Sequence, residues 1–111
     1  MCDRMLMPKV SRVPLKPEEL RRIRGAFLEA LALLRTKSDV EEFLQDFLTP
    51  AEWKMFVKRL AIAEMLLDSK SYSTIERTLR VGTPTITRMQ NFLQLHGGGM
   101  RKALQHLKHV R

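Results

Sequence analysis

Apolar residues return along this chain at three- and four-residue steps, the spacing of a helix face, and strand-like alternation is absent. The first stripe is Leu20, Ile23, Phe27, Leu31 and Leu34, widened by Leu28 and Leu33. Pro17 suits a first helical position, and Glu18 and Glu19 follow where the helix dipole favours acids. Arg35 and Lys37 carry the charge preferred at the opposite end, so they are expected to close this helix. The stripe is broad for one small domain and implies packing on a second subunit.

Three capping boxes then punctuate the chain, each a Ser or Thr followed three residues on by Glu. Ser38 to Glu41 predicts a short helix with Val40, Phe43, Leu44 and Phe47 inward. Thr49 to Glu52, with Pro50 at the first helical position, opens a long helix to about Leu67. Trp53, Phe56, Leu60, Ala61, Ile62, Ala63, Met65, Leu66 and Leu67 make that helix apolar on several sides. Such a helix is buried on several sides, which predicts a central spine at a dimer interface.

Asp68 to Ser71 is the connection, and Ser73 to Glu76 is the third box. It predicts a short helix with Ile75 and Leu79 inward and Arg77 and Arg80 outward. Val81 and Gly82 form the turn, with Gly82 supplying tolerance of positive φ. Thr83 is the expected cap of the next helix and Pro84 its opening residue, with Ile86, Met89 and Leu93 inward. His96 and the glycines Gly97 to Gly99 read as a flexible hinge. Met100 to Arg111 reads as a last helix with Met100, Ala103, Leu104 and Leu107 on one face, and it holds basic residues and no acid. The reading is all-α, about six helices, with 17–111 as a single domain and a helix-turn-helix at about 73–95. Residues 1–16, with Pro8, Pro14, Arg4, Lys9, Arg12 and Lys16, read as a flexible basic arm that either lies along phosphates or has no binding role.

Charge adds a partner. The 111 residues carry a formal net charge of +8, which favours a polyanion, either nucleic acid or an acidic membrane surface. No strongly apolar face is left over for lipid, and no apolar run is long enough to span a bilayer. The arm lacks the apolar centre of a signal peptide. Cys2 is the one cysteine, so no intrachain disulfide forms and a reducing cytoplasm suits the chain. His96, His106 and His109 lack zinc spacing and sit among basic residues. Glu41 and Glu52 are accounted for by capping, and Glu64 stands mid-helix without a matched partner. No catalytic constellation, cofactor or metal is expected.

The second helix of the 73–95 unit carries the candidate chemistry. Thr83, Pro84, Thr85, Thr87, Arg88 and Asn91 offer hydroxyls and methyls for base edges, a guanidinium for phosphate or guanine, and an amide for adenine. Lys70, Arg77, Arg80, the arm and the last helix are the expected phosphate neutralisers. A plain solvated helix face is the alternative. The joint pattern of short capped helix, glycine turn, Thr-Pro start and positive charge favours the DNA reading.

Leu48, Thr49, Pro50, Arg59, Ile62, Glu64, Leu66 and Leu67, then Thr85, Ile86, Thr87, Arg88 and Asn91, resemble the Trp repressor superfamily in order and spacing, with about one residue missing before the reading unit. The likeness covers roughly Phe43 to Leu95. The segment from Ala30 to Leu66 is similar to the small Trp-repressor-like bacterial proteins of the YerC/YecD type. The resemblance implies an intertwined homodimer that binds double-stranded DNA as a transcriptional regulator, a probe of each subunit entering successive major grooves about 34–36 Å apart. A repressor is the expected sign. A helical module for protein or RNA, reusing the scaffold, is the rival reading.

The resemblance also implies a ligand pocket at Thr49, Arg59 and Arg88, the arginines flanking an indole. Met89 stands where the repressor has glycine, and Phe92 where it has a serine that helps hold the ligand's amino group. Both add bulk, and overpacking costs about 1–3 kcal/mol where room is lacking. The pocket is therefore expected to be vestigial, filled by Met89 and Phe92, and free tryptophan is not expected to bind. Glu76 replaces a basic, phosphate-contacting residue of the repressor, so the detailed footprint need not transfer.

Overall fold

The computed structural model describes residues 13–111, and the proposed arm up to residue 12 lies outside them. Six helices follow in order: α1 (Pro17–Ala32), α2 (Lys37–Phe47), α3 (Pro50–Leu67), α4 (Tyr72–Leu79), α5 (Thr83–Leu95) and α6 (Gly98–Val110). No strand occurs among the described residues. The chain divides into two compact units, the first ending at Trp53 and the second running from Lys54 to Arg111.

In the first unit Pro17 opens α1 with Glu18 and Glu19 in its first turn. Arg35 and Lys37 do not close this helix. It ends at Ala32, with Leu33 as its C-cap, and Lys37 is instead the first residue of α2. The reason is Thr36, whose hydroxyl accepts the Asp39 N–H at 3.0 Å and starts the next helix earlier than the expected Ser38 cap. No residue of α1 is buried; Leu20, Ile23, Phe27 and Leu28 remain 38–57% exposed. Phe27, Phe43 and Phe47 form a ring cluster with centroids 5.2–6.3 Å apart, the offset range that favours aromatic pairs. The Thr49 box forms as expected. The Thr49 hydroxyl accepts the Glu52 N–H at 3.1 Å, and the Glu52 carboxylate accepts the Thr49 N–H at 2.8 Å.

The second unit holds one core. Ile62 and Ala63 of α3, Ile75 of α4, Ile86, Met89 and Leu93 of α5, and Leu104 of α6 are buried together. Met65, Leu66, Leu79, Val81, Met100 and Leu107 pack around them. Three of these positions, Ile62, Ile75 and Ile86, lie one per helix on α3, α4 and α5, each at most 1% exposed. They hold the last two as a pair against the first. The rest of α3 is less enclosed: Met55, Phe56, Val57 and Leu60 are 40–52% exposed.

Candidate nucleic-acid interface

The reading unit is a helix-turn-helix that ends at Leu95 as expected, while its caps and turn differ from the expected ones. Ser71, not Ser73, caps α4, accepting the Thr74 N–H at 3.1 Å, and Tyr72 is its first residue. The left-handed residue of the turn is Arg80, at φ 56°, while Gly82 sits at φ −87° as the N-cap of α5. The turn closes one helix before it opens the next, so positive φ falls on the residue after Leu79. Thr83 does not cap α5. It is the helix's first residue, and its hydroxyl donates to the Glu76 carboxylate at 2.5 Å. The Lys58 ammonium donates to the Arg80 carbonyl at 3.4 Å.

Buried Ile86, Met89 and Leu93 fix which side of α5 faces the core. Pro84, Thr87 and Asn91 recur at three- and four-residue steps on the opposite side, all exposed, and exposed Arg88 stands beside them with its side chain also bordering a cleft. Thr83 is exposed at the head of this face. Thr85 is exposed too, but it turns to the flank, where it lines a cleft. Arg77 on α4, Arg80 in the turn and Lys70 in the connection are exposed on the same unit, and none has an ion-pair partner among the described residues.

The last helix behaves differently from its sequence reading. Two of its cations and Arg111, the residue after it, are engaged within the unit. Arg101 donates to the Leu93 carbonyl, Lys108 pairs with Asp68 at 3.3 Å, and Arg111 pairs with Glu64 at 2.5 Å. Glu64, unmatched in sequence, finds its partner across 47 residues. Nor are the three glycines one hinge: Gly98 and Gly99 form the first turn of α6, and Gly97 alone adopts the left-handed region, at φ 88°.

Between α3, the turn and α5 lies a cleft of about 750 Å³. Lys58, Arg59, Arg80 and Arg88 supply its charge, and Ile62, Met89 and Phe92 are among its apolar walls. No acid lines it. Met89 and Phe92 line this space; they do not fill it, because Met89 is drawn into the core, at 8% exposure, and Phe92 turns outward, at 42%. Arg59 lies 5.6 Å above the Phe56 ring, and Phe92 is in ring contact with His96. Thr49 is not part of the lining, and its hydroxyl is engaged in the α3 cap. Lys58 was missed by the sequence reading; its place beside Arg59, an expected pocket residue, was the available signal.

A profile of the Trp repressor protein family matches residues 24–108. The chain belongs to the Trp repressor family. Its fold is similar to the crystal structure of a "putative Trp repressor from Staphylococcus aureus", with TM-score 0.75 and 25% identity over 86% of this chain and 96% of that one. No curated protein matches the chain. Family membership identifies the α4–α5 pair as the helix-turn-helix of a transcription-regulator scaffold. It also accounts for the conjunction of a buried isoleucine triad with an outward α5 face that carries no large apolar residue between Thr83 and Asn91.

Proposed function

We propose that this protein is a sequence-specific, double-stranded-DNA-binding transcriptional regulator, a repressor of the YerC/YecD type, acting as a homodimer in the cytoplasm without catalysis. The observation that carries the reading is the exposed row Pro84, Thr87, Arg88 and Asn91 on a helix anchored by three buried residues, flanked by Arg77, Arg80 and Lys70, which have no ion-pair partner among the described residues. A rigid helix with polar, hydrogen-bonding residues near its N-terminus is suited to base edges, and the flanking cations to phosphates.

The second copy is supported by what the chain leaves uncovered. Leu20, Ile23, Phe27 and Leu28 on α1, and Met55, Phe56, Val57 and Leu60 on α3, are large apolar residues at 38–57% exposure. Patches of this kind mark association surfaces. Residues 17–111 then act as one dimeric domain, and sedimentation should report two chains.

The cleft does not serve free tryptophan in this reading. The four cations suit the carboxylate of an amino acid, but no acid lines the cleft to hold its ammonium, and Phe92 offers it no acceptor. Calorimetry showing saturable tryptophan binding at micromolar concentration would refute this.

The deciding experiment is a salt-titrated gel shift against random duplex, hairpin RNA and single strand, followed by selection of bound duplexes from a random pool. Preference for duplex with a recovered consensus supports the reading. Preference for hairpin RNA, or no nucleic-acid binding, replaces it with the interaction module.

A further inference from the structure

Glu76 is the one acid between Ser71 and Leu95, in a unit that also carries Arg77, Arg80 and Arg88. It has no ion-pair partner among the described residues. Its half-buried carboxylate accepts a hydrogen bond from Thr83, the first residue of α5. That bond keeps the negative charge at the head of the helix whose N-terminal residues meet base edges in a helix-turn-helix.

We propose that Glu76 is a specificity-determining residue, one that subtracts from sequence-independent DNA binding more than from binding at the preferred site. The proposal rests on the DNA-binding function proposed above. A carboxylate at this position repels phosphate whatever the sequence, opposing the three arginines. One lone-pair direction is taken by the Thr83 hydroxyl; the remaining ones accept hydrogen bonds and donate none. In the major groove the base donors are the amino groups of cytosine and adenine. A site that presents one of them to Glu76 offsets the repulsion, and other sequences bear it in full. The acid therefore widens the gap between specific and non-specific affinity.

Charge and hydrogen bond can be separated. Glu76→Gln keeps a carbonyl acceptor for Thr83 and removes the charge; Glu76→Ala removes both the charge and the acceptor. The probes are a random duplex and the duplex selected by the wild-type chain, read by fluorescence anisotropy at fixed salt with thermal melts alongside. Glu76→Gln should tighten random-duplex binding by about threefold to fivefold, the scale of one exposed charge pair. It should tighten the selected duplex less and broaden base preference opposite the head of α5. Glu76→Ala should lower the specificity ratio in the same direction. An unchanged ratio in both Glu76→Gln and Glu76→Ala would show that the pair only positions α5 and would overturn the proposal. Wild-type protein that binds no duplex would instead remove the function on which it rests.

Discussion

The Arg111 guanidinium donates to the Glu64 carboxylate at 2.5 Å, tying the residue after α6 to the middle of α3. With Lys108 on Asp68 and Arg101 on the Leu93 carbonyl, the last helix, expected from sequence to neutralise phosphates, uses these charges inside the unit.

A prediction about DNA follows. Arg111→Ala and Lys108→Ala should each change stability by about 1 kcal/mol or less, since the two cations are 57% and 69% exposed and screened. Neither should alter the slope of log affinity against log salt. Arg77→Ala, which removes an exposed cation, should flatten that slope by about 0.9. Equal flattening in the α6 variants would place the last helix on the phosphates after all.

The helix caps give a second test. Thr36→Ala should cost about 1 kcal/mol, because it removes the acceptor for the Asp39 N–H, whereas Ser38→Ala should cost little. The same contrast holds for Ser71→Ala against Ser73→Ala. Urea midpoints at constant slope measure both. A costly Ser38 or Ser73 change with a silent Thr36 or Ser71 would move the helix starts back to their sequence positions.

Arg80 should separate stability from binding. Its left-handed backbone costs a non-glycine residue about 1–2 kcal/mol, while glycine in the unfolded chain gives back about 0.5–1. Arg80→Gly should therefore raise stability by up to about 1 kcal/mol and still weaken DNA, through loss of a cation in the turn. Arg80→Ala should weaken DNA without the gain. A thermal melt and a salt titration on the two variants decide it, and a destabilised glycine variant would refute the strain argument.

Gly97 is constrained twice. At φ 88° an L side chain is strained, and a Cβ there would stand 3.0 Å from the Leu93 Cδ2 and 3.5 Å from its Cα. Gly97→Ala should destabilise the second unit by about 1–2 kcal/mol. Gly98→Ala and Gly99→Ala meet no such contact and sit inside α6, where alanine is favoured by up to about 1 kcal/mol per position. Denaturation of the three variants should order them accordingly; equal effects would mean that the glycines act together as a hinge.

The sequence alone determined the helical class, the approximate place of each helix, the inward triad Ile86, Met89 and Leu93, and the reciprocal Thr49–Glu52 cap. These are local matters: helix periodicity is written in side chains three and four residues apart, and a capping box closes within four. It also carried the family resemblance, through residues that the scaffold needs at fixed spacing.

Only the tertiary structure decided which of several nearby hydroxyls caps α2 and α4, that Arg80 and not Gly82 takes the left-handed turn, and that Thr83 serves Glu76. It alone paired Arg111 with Glu64 and set Lys58, Arg59, Arg80 and Arg88 around one cleft. These choices depend on packing between helices far apart in the chain. A cap begins where the core lets the helix begin, and a charge finds its partner only after folding has brought α3, α5 and α6 together.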